Sequence, residues 1–219
     1  MRPILHLLAL LAFVLPAQAR TQDANRPSPG FVRVRLVTSA GAIMLALDAR
    51  RAPKTTANFL AYVDDGRFDG VDFYRAARKK VAPKFGFIQG GIRTDARRIL
   101  PGSVPLERTD RTGLKHLDGT ISMARGANPD SAAGNFSIMV GPMPSLDAEG
   151  QYPGYAAFGR VVAGMDVVKR ILALPTGGGS GPMKGQMILK PVTILRAERL
   201  DGTPKPTGGV KPWLIGVAR

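Results

Sequence analysis

Two polar residues stand in apolar, aromatic-rich segments. Arg75 closes Asp72-Phe73-Tyr74-Arg75, and Gln89 lies inside Phe85-Gly86-Phe87-Ile88-Gln89-Gly90-Gly91. A guanidinium among aromatic rings is a permanently charged donor with a rigid fork, suited to a lone pair or charge that appears during a reaction. An amide beside it can donate and accept at once. Read alone, Arg75 fits a structural arginine paired with an acid such as Asp72 equally well. Other chemistries are thin. The chain has no cysteine, which removes thiolates and disulfides. Of the two histidines, His6 falls in an apolar leader, so a histidine-rich metal site is excluded. A Ser-His-Asp triad would have to use His116, and no G-x-S-x-G turn accompanies it. Asp64 and Asp65, ahead of Gly66, read as solvated turn residues. The glycine-rich stretch 176–185 matches neither phosphate-binding pattern, and no helix pattern follows it.

The elements that must hold Arg75 and Gln89 are mostly short strands. Residues 31–37 alternate, with Val32, Val34 and Leu36 on one face and Arg33 and Arg35 on the other. After a turn at 38–41, residues 42–47 complete a hairpin. Residues 53–63 read as a helix opened by Pro53, with Thr56, Phe59, Leu60 and Val63 as its buried stripe. Strands follow at 71–75 and 85–89, joined by a basic loop over 76–84, and Gly90-Gly91 after the second strand lets the chain bend or pass a ligand closely. Residues 94–117 show no periodicity and read as a surface excursion. Short strands at 119–124, 135–140 and 156–162, a helix at 165–174 with Val167, Val168, Ile171 and Leu174 inward, and a strand at 192–200 complete the set. Eight short strands need closure to hide their edges. The expected fold is mainly β: a closed antiparallel eight-stranded barrel capped by two helices.

The motifs agree with this. F-Y-R at 73–75 followed by G-F-I-Q-G-G at 86–91, then G-T-I-S-M-A at 119–124, N-F-S-I at 135–138 and Y-A-A-F-G at 155–159, resembles the cyclophilin family of peptidyl-prolyl isomerases in order and content, over roughly 31–200. The resemblance implies acceleration of X-Pro bond rotation, a reaction that makes and breaks no covalent bond and needs no cofactor or metal. The barrier of about 18–20 kcal/mol comes from amide resonance. A donor to the prolyl nitrogen, whose lone pair emerges in the twisted state, lowers it. In this reading the donor is Arg75. Gln89 holds a substrate carbonyl, Asn135 takes a position usually filled by glutamine, and Ala124 contacts peptide backbone. Leu146 walls the pocket, Tyr155 lies at its rim, and either Phe85 or Phe87 supplies the pocket ring. The chain departs from the family at three places: the Arg75–Gln89 interval is longer, Ser137 replaces the phenylalanine that floors the proline pocket, and Ser145 replaces the aromatic that binds cyclosporin in eukaryotic members. These changes favour a weak, cyclosporin-insensitive isomerase. The alternative is a cyclophilin-like peptide-holding chaperone with little turnover.

Residues 1–19 have a charged start, an apolar run at 4–15 and Ala17-Gln18-Ala19, the pattern of a secretory signal cut after Ala19. The run is too short for a permanent anchor, so the expected address is the periplasm, with no membrane association after cleavage. Residues 20–30 read as a linker, 31–200 as the domain and 201–219 as a loose basic tail, Trp213 included. The formal net charge of +15 favours anionic partners in general. The basic residues are nevertheless scattered and not interleaved with aromatics on one helix, which argues against a dedicated nucleic-acid surface. The expected partners are proline-containing unfolded or flexible polypeptides, met by a monomer.

Overall fold

A computed structural model describes residues 29–93 and 95–214; the predicted signal segment lies outside them. Eight antiparallel strands close into a barrel: β1 (Phe31–Thr38), β2 (Gly41–Asp48), β3 (Val71–Lys79), β4 (Ala82–Gly91), β5 (Thr120–Met123), β6 (Asn135–Val140), β7 (Ala157–Ala163) and β9 (Met187–Arg199). Their order is β1-β2-β7-β5-β6-β4-β3-β9, and β9 pairs back onto β1, leaving no open edge. A two-residue strand, β8 (Thr176–Gly177), adds to β9. Helix α1 (Pro53–Asp64) packs on β2 and β9, and α3 (Met165–Leu172) on β2, β3, β4 and β6. A single turn, α2 (Thr109–Thr112), lies in the excursion.

Side chains fill the barrel, so any site must lie outside it. Along β6, Phe136 and Ile138 are wholly buried in the core while Asn135, Ser137 and Met139 occupy the other face; β4 alternates likewise, with Ile88 inward. Phe59 from α1 meets Phe68, Phe136 and Phe158 at ring-centroid distances of 5.0–5.4 Å, and Phe73 meets Phe136 at 5.7 Å. Rings at these separations and tilts add about 0.5–1.5 kcal/mol per pair beyond area burial.

Five local expectations fail, the first four because a distant group supplies what the local sequence lacks. Residues 76–84 are not a loop: β3 runs on to Lys79 and β4 begins at Ala82. Two basic side chains of this arm bind protein oxygens far along the chain. Arg78 donates to the Leu172 and Leu174 carbonyls beyond α3 and to Thr176 Oγ1, and Lys79 donates to the Pro142 carbonyl. Asp64 and Asp65 are not solvated. Arg199 donates to Asp64 at 2.5 and 2.8 Å, and Arg67 to Asp65 at 2.8 Å. Burial pushes the Asp65 carboxyl up, but hydrogen bonds from Thr207 and Arg67 outweigh it and hold the group below the usual carboxylate range. Nor do residues 201–213 form a loose tail. Thr207 is tied to Asp65, and the buried Trp213 ring lies under the Arg67 and Arg98 guanidinium groups at 4.7 and 5.3 Å. The excursion is structural: Glu107 accepts from the Lys54 and Thr55 N–H groups, capping α1, whose own Ala52 offers no side-chain cap. Finally, α3 ends at Leu172, which takes the inward place expected of Leu174.

Candidate active site

An open cleft of about 840 Å³ runs along the outer face of β3, β4, β5 and β6. Arg75, Phe87, Gln89, Ala124, Ser137, Leu146 and Tyr155 all line it, together with Met139, Arg125 and Met183. These residues come from seven separate stretches of chain, and the fold brings them together.

Arg75 owes its place to a bulge. Phe73 pairs with Gly90, yet Arg75 pairs with Gln89, so Tyr74 is an extra residue on β3. Without it, Tyr74 would stand opposite Gln89 and Arg75 would face the other way. Gly90 permits the close approach, since a Cβ there would lie 2.7 Å from the Phe73 ring. At Gly91 φ is +117°, and a Cβ would lie 2.2 Å from the Gly134 carbonyl oxygen. The glycine pair therefore serves packing and backbone shape within the protein, not passage of a ligand.

The guanidinium of Arg75 is held from three sides. Nη1 donates to Gln89 Oε1 at 2.8 Å, Nε to Gln186 Oε1 at 2.9 Å, and Nη2 to the Pro182 carbonyl at 3.3 Å. Its centre lies 5.0 Å from the Phe87 ring centroid, an attractive arrangement for a cation. Burial lowers its pKa against opposing contributions from Tyr74 and Tyr155. Asp72 is not its partner, because that carboxylate accepts from Thr193 Oγ1 instead.

Gln89 continues the network inward. Its Nε2 donates to Tyr74 Oη at 2.9 Å, and Tyr74 donates to Asn135 Oδ1 at 3.1 Å, which also accepts from the Arg93 N–H. Burial raises the Tyr74 pKa, against lowering by the hydrogen bond from Gln89, so the phenol stays a neutral donor. The second amide hydrogen of Gln89 has no partner among the described residues. Asn135 ends this chain and does not line the cleft, contrary to the peptide-binding place expected for it. Phe85 is outside as well: its ring packs over Gly141, 2.5 Å from where a Cβ there would be, with the Lys84 ammonium 5.2 Å from its centroid. Phe87 is thus the ring in the cleft. Ser137 faces it, paired with Gln89 on one side and Ser122 on the other. Tyr155 carries the Arg125 guanidinium at 4.6 Å, and Arg125 is anchored to the Gly154 carbonyl.

These groups sit on the outside of a closed eight-stranded barrel, and the family comparison agrees with them: the model of the cyclophilin type peptidyl-prolyl cis-trans isomerase/CLD family matches residues 33–199. The chain belongs to the cyclophilin family. It is 37% identical over 195 residues to peptidyl-prolyl cis-trans isomerase A of Dickeya dadantii, covering 89% of this chain and 94% of that one. It is 39% identical over 170 residues to peptidyl-prolyl cis-trans isomerase cyp18 of Streptomyces antibioticus, covering 76% and 98%. A Cryptosporidium parvum cyclophilin crystal structure superposes with a TM-score of 0.62 at 23% identity, over 79% of this chain and 99% of that one.

Sequence reasoning missed two features of this cyclophilin's site. Gln186 sits just past the stretch 176–185 that reads as a glycine-rich loop. The other is a buried chain: His116 Nδ1 lies 2.7 Å from Asp147 Oδ1, and its Nε2 lies 2.8 Å from Ser122 Oγ. A carboxylate only accepts, so Nδ1 carries the proton and Nε2 accepts from the serine. The order is that of a catalytic triad. However, the nearby N–H groups of Met123 and Ala124, which an oxyanion would need, are already donated to the Ala156 and Asn135 carbonyls. What the chain does is tie the turn carrying Leu146 to β5, a task shared by the Met143 N–H donating to the His116 carbonyl.

Proposed function

We propose that this cyclophilin isomerises X-Pro bonds in exported polypeptides, with Arg75 as the catalytic donor and the cleft beside it as the proline site. The observation that carries the assignment is the grip on Arg75. Its three bonds to described residues use three of five N–H groups, leaving one on each terminal nitrogen of a side chain that lines the cleft. Phe87, Met139 and Leu146 supply apolar surface for the proline ring. With the ring held there, rotation turns the prolyl nitrogen's emerging lone pair toward the guanidinium. The donor acts mainly in the twisted state, so its binding energy raises the rate. Gln89's remaining amide hydrogen binds the flanking carbonyl and fixes one side of the rotating bond. Preorganisation by Gln89 and Gln186 means the guanidinium does not have to reorient as the barrier is crossed. The high identity to bacterial isomerases over most of both chains supports this reaction. The residues 1–19 pattern supports export to the periplasm, where clients would be newly translocated chains met by a monomer.

Arg75→Ala tests the assignment. A protease-coupled assay on a proline peptide should show kcat/KM lowered at least about 10²-fold, equivalent to about 2.7 kcal/mol. The circular dichroism spectrum should be unchanged, since Arg75 lies on the outer face. Equal activity in the two proteins would remove Arg75 from the donor's role.

A further inference from the structure

We propose that Gln186 is a positioning residue for the isomerase reaction: it sets the plane of the Arg75 guanidinium from the side opposite Gln89. The inference rests on Arg75 being the donor. Gln186 lies 111 residues beyond Arg75, and its Oε1 accepts from Nε at 2.9 Å. Its backbone is fixed on both sides. The Gln186 carbonyl accepts from the Ala76 N–H at 2.9 Å, and its own N–H donates to the Met183 carbonyl at 3.0 Å. It therefore stands one residue before β9, where Met187 pairs with Arg75 itself.

The geometry explains why a second acceptor matters. Without Gln186 the guanidinium keeps Gln89 at Nη1 and only the longer 3.3 Å bond from Nη2 to the Pro182 carbonyl, and it can tilt between them. A bond at Nε, on the other flank of the planar fork, fixes the plane and with it the direction of the N–H groups left for the prolyl nitrogen. The Pro182 carbonyl at Nη2 lies on the same flank, and Met183 beside it lines the cleft. Pro182 and Met183 thus form one wall of the cleft. Its shape depends on Gly179, where φ is +76° and a Cβ would lie 2.4 Å from the Met183 carbonyl oxygen. Misorienting a donor costs rate and leaves the apolar proline contacts alone, so the loss belongs in kcat.

The test measures kcat and KM for one proline peptide in wild type, Gln186→Met, Gln186→Ala, Arg75→Ala and the Arg75→Ala/Gln186→Met double variant. Methionine keeps the side chain's bulk without the acceptor. Both Gln186 variants are expected to lose about tenfold in kcat with KM within about twofold and the melting temperature retained. In the Arg75→Ala background the second change should cost nothing further, because its target is gone. Wild-type kcat in Gln186→Met beside an inactive Arg75→Ala would overturn this inference and leave the donor assignment standing. So would a loss in Gln186→Ala alone, which would mark a packing effect, or an equal loss in both backgrounds. An active Arg75→Ala would overturn both readings.

Discussion

Ser137→Phe probes the floor of the cleft. Ser137 sits between Gln89 on β4 and Ser122 on β5, with Phe87 diagonal to it and Met139 two residues along the same face. Phe85, which sequence alone left as a candidate to fill this space, packs over Gly141. A serine therefore leaves the proline ring with Phe87, Met139 and Leu146 but no floor. A phenylalanine ring turned into the roughly 840 Å³ cleft would cover about 50 Å² of apolar surface on the bound proline. At about 25 cal/mol per Å² this is about 1.3 kcal/mol, or about ninefold tighter binding. The cleft is open, so the ring does not enter the closed core and the melting temperature should hold. Calorimetric titration with a proline peptide, alongside thermal unfolding, measures both quantities. Unchanged or weaker affinity at unchanged stability would refute the claim that Ser137 floors the proline site. A drop of about 1–3 kcal/mol in stability would show that the space is already filled.

Two further outcomes follow from other parts of the chain. Burial pushes the His116 pKa below the ordinary histidine value of about 6.5, against raising by Asp147, with Lys115 adding to the lowering. The unfolded chain then takes up this proton first as pH falls, so the contribution to stability is full above about pH 6.5 and is lost below it toward the folded pKa. Melting temperatures should fall from pH 8 to pH 5.5 in wild type and fall less in His116→Gln; parallel curves would contradict the buried neutral histidine. The exported protein is expected to begin at Arg20, which mass spectrometry of the periplasmic fraction reads directly; a soluble exported form retaining residues 1–19 would refute the signal reading.

The sequence by itself determined the barrel. Strand periodicity, two amphipathic helices and four ordered motifs placed all eight barrel strands within a few residues of where they lie, apart from the longer ends of β3, β4 and β9. Those signals are local: alternation along a strand and a stripe along a helix are written in neighbouring residues. It also named Arg75, Phe87, Gln89, Ala124, Ser137, Leu146 and Tyr155 among the residues that line the cleft. What only the tertiary structure decided depends on register and on groups far apart in the chain. The Tyr74 bulge, which sets Arg75 opposite Gln89, leaves no mark in the pattern of residue types, because tyrosine suits a regular strand equally well. The choice of Phe87 over Phe85 turns on the irregular pairing near Gly86, where φ is +150°. Asn135 looked like a peptide contact and became the end of an internal hydrogen-bond chain, since only the fold brings Tyr74 and Arg93 to it. Gln186, the His116–Ser122–Asp147 chain, the Glu107 cap and the anchored Trp213 each join residues whose separation in sequence carries no periodic signal. Among their partners, the Thr55 N–H and the Ser122 hydroxyl belong to buried residues, where a polar group left unpaired is costly.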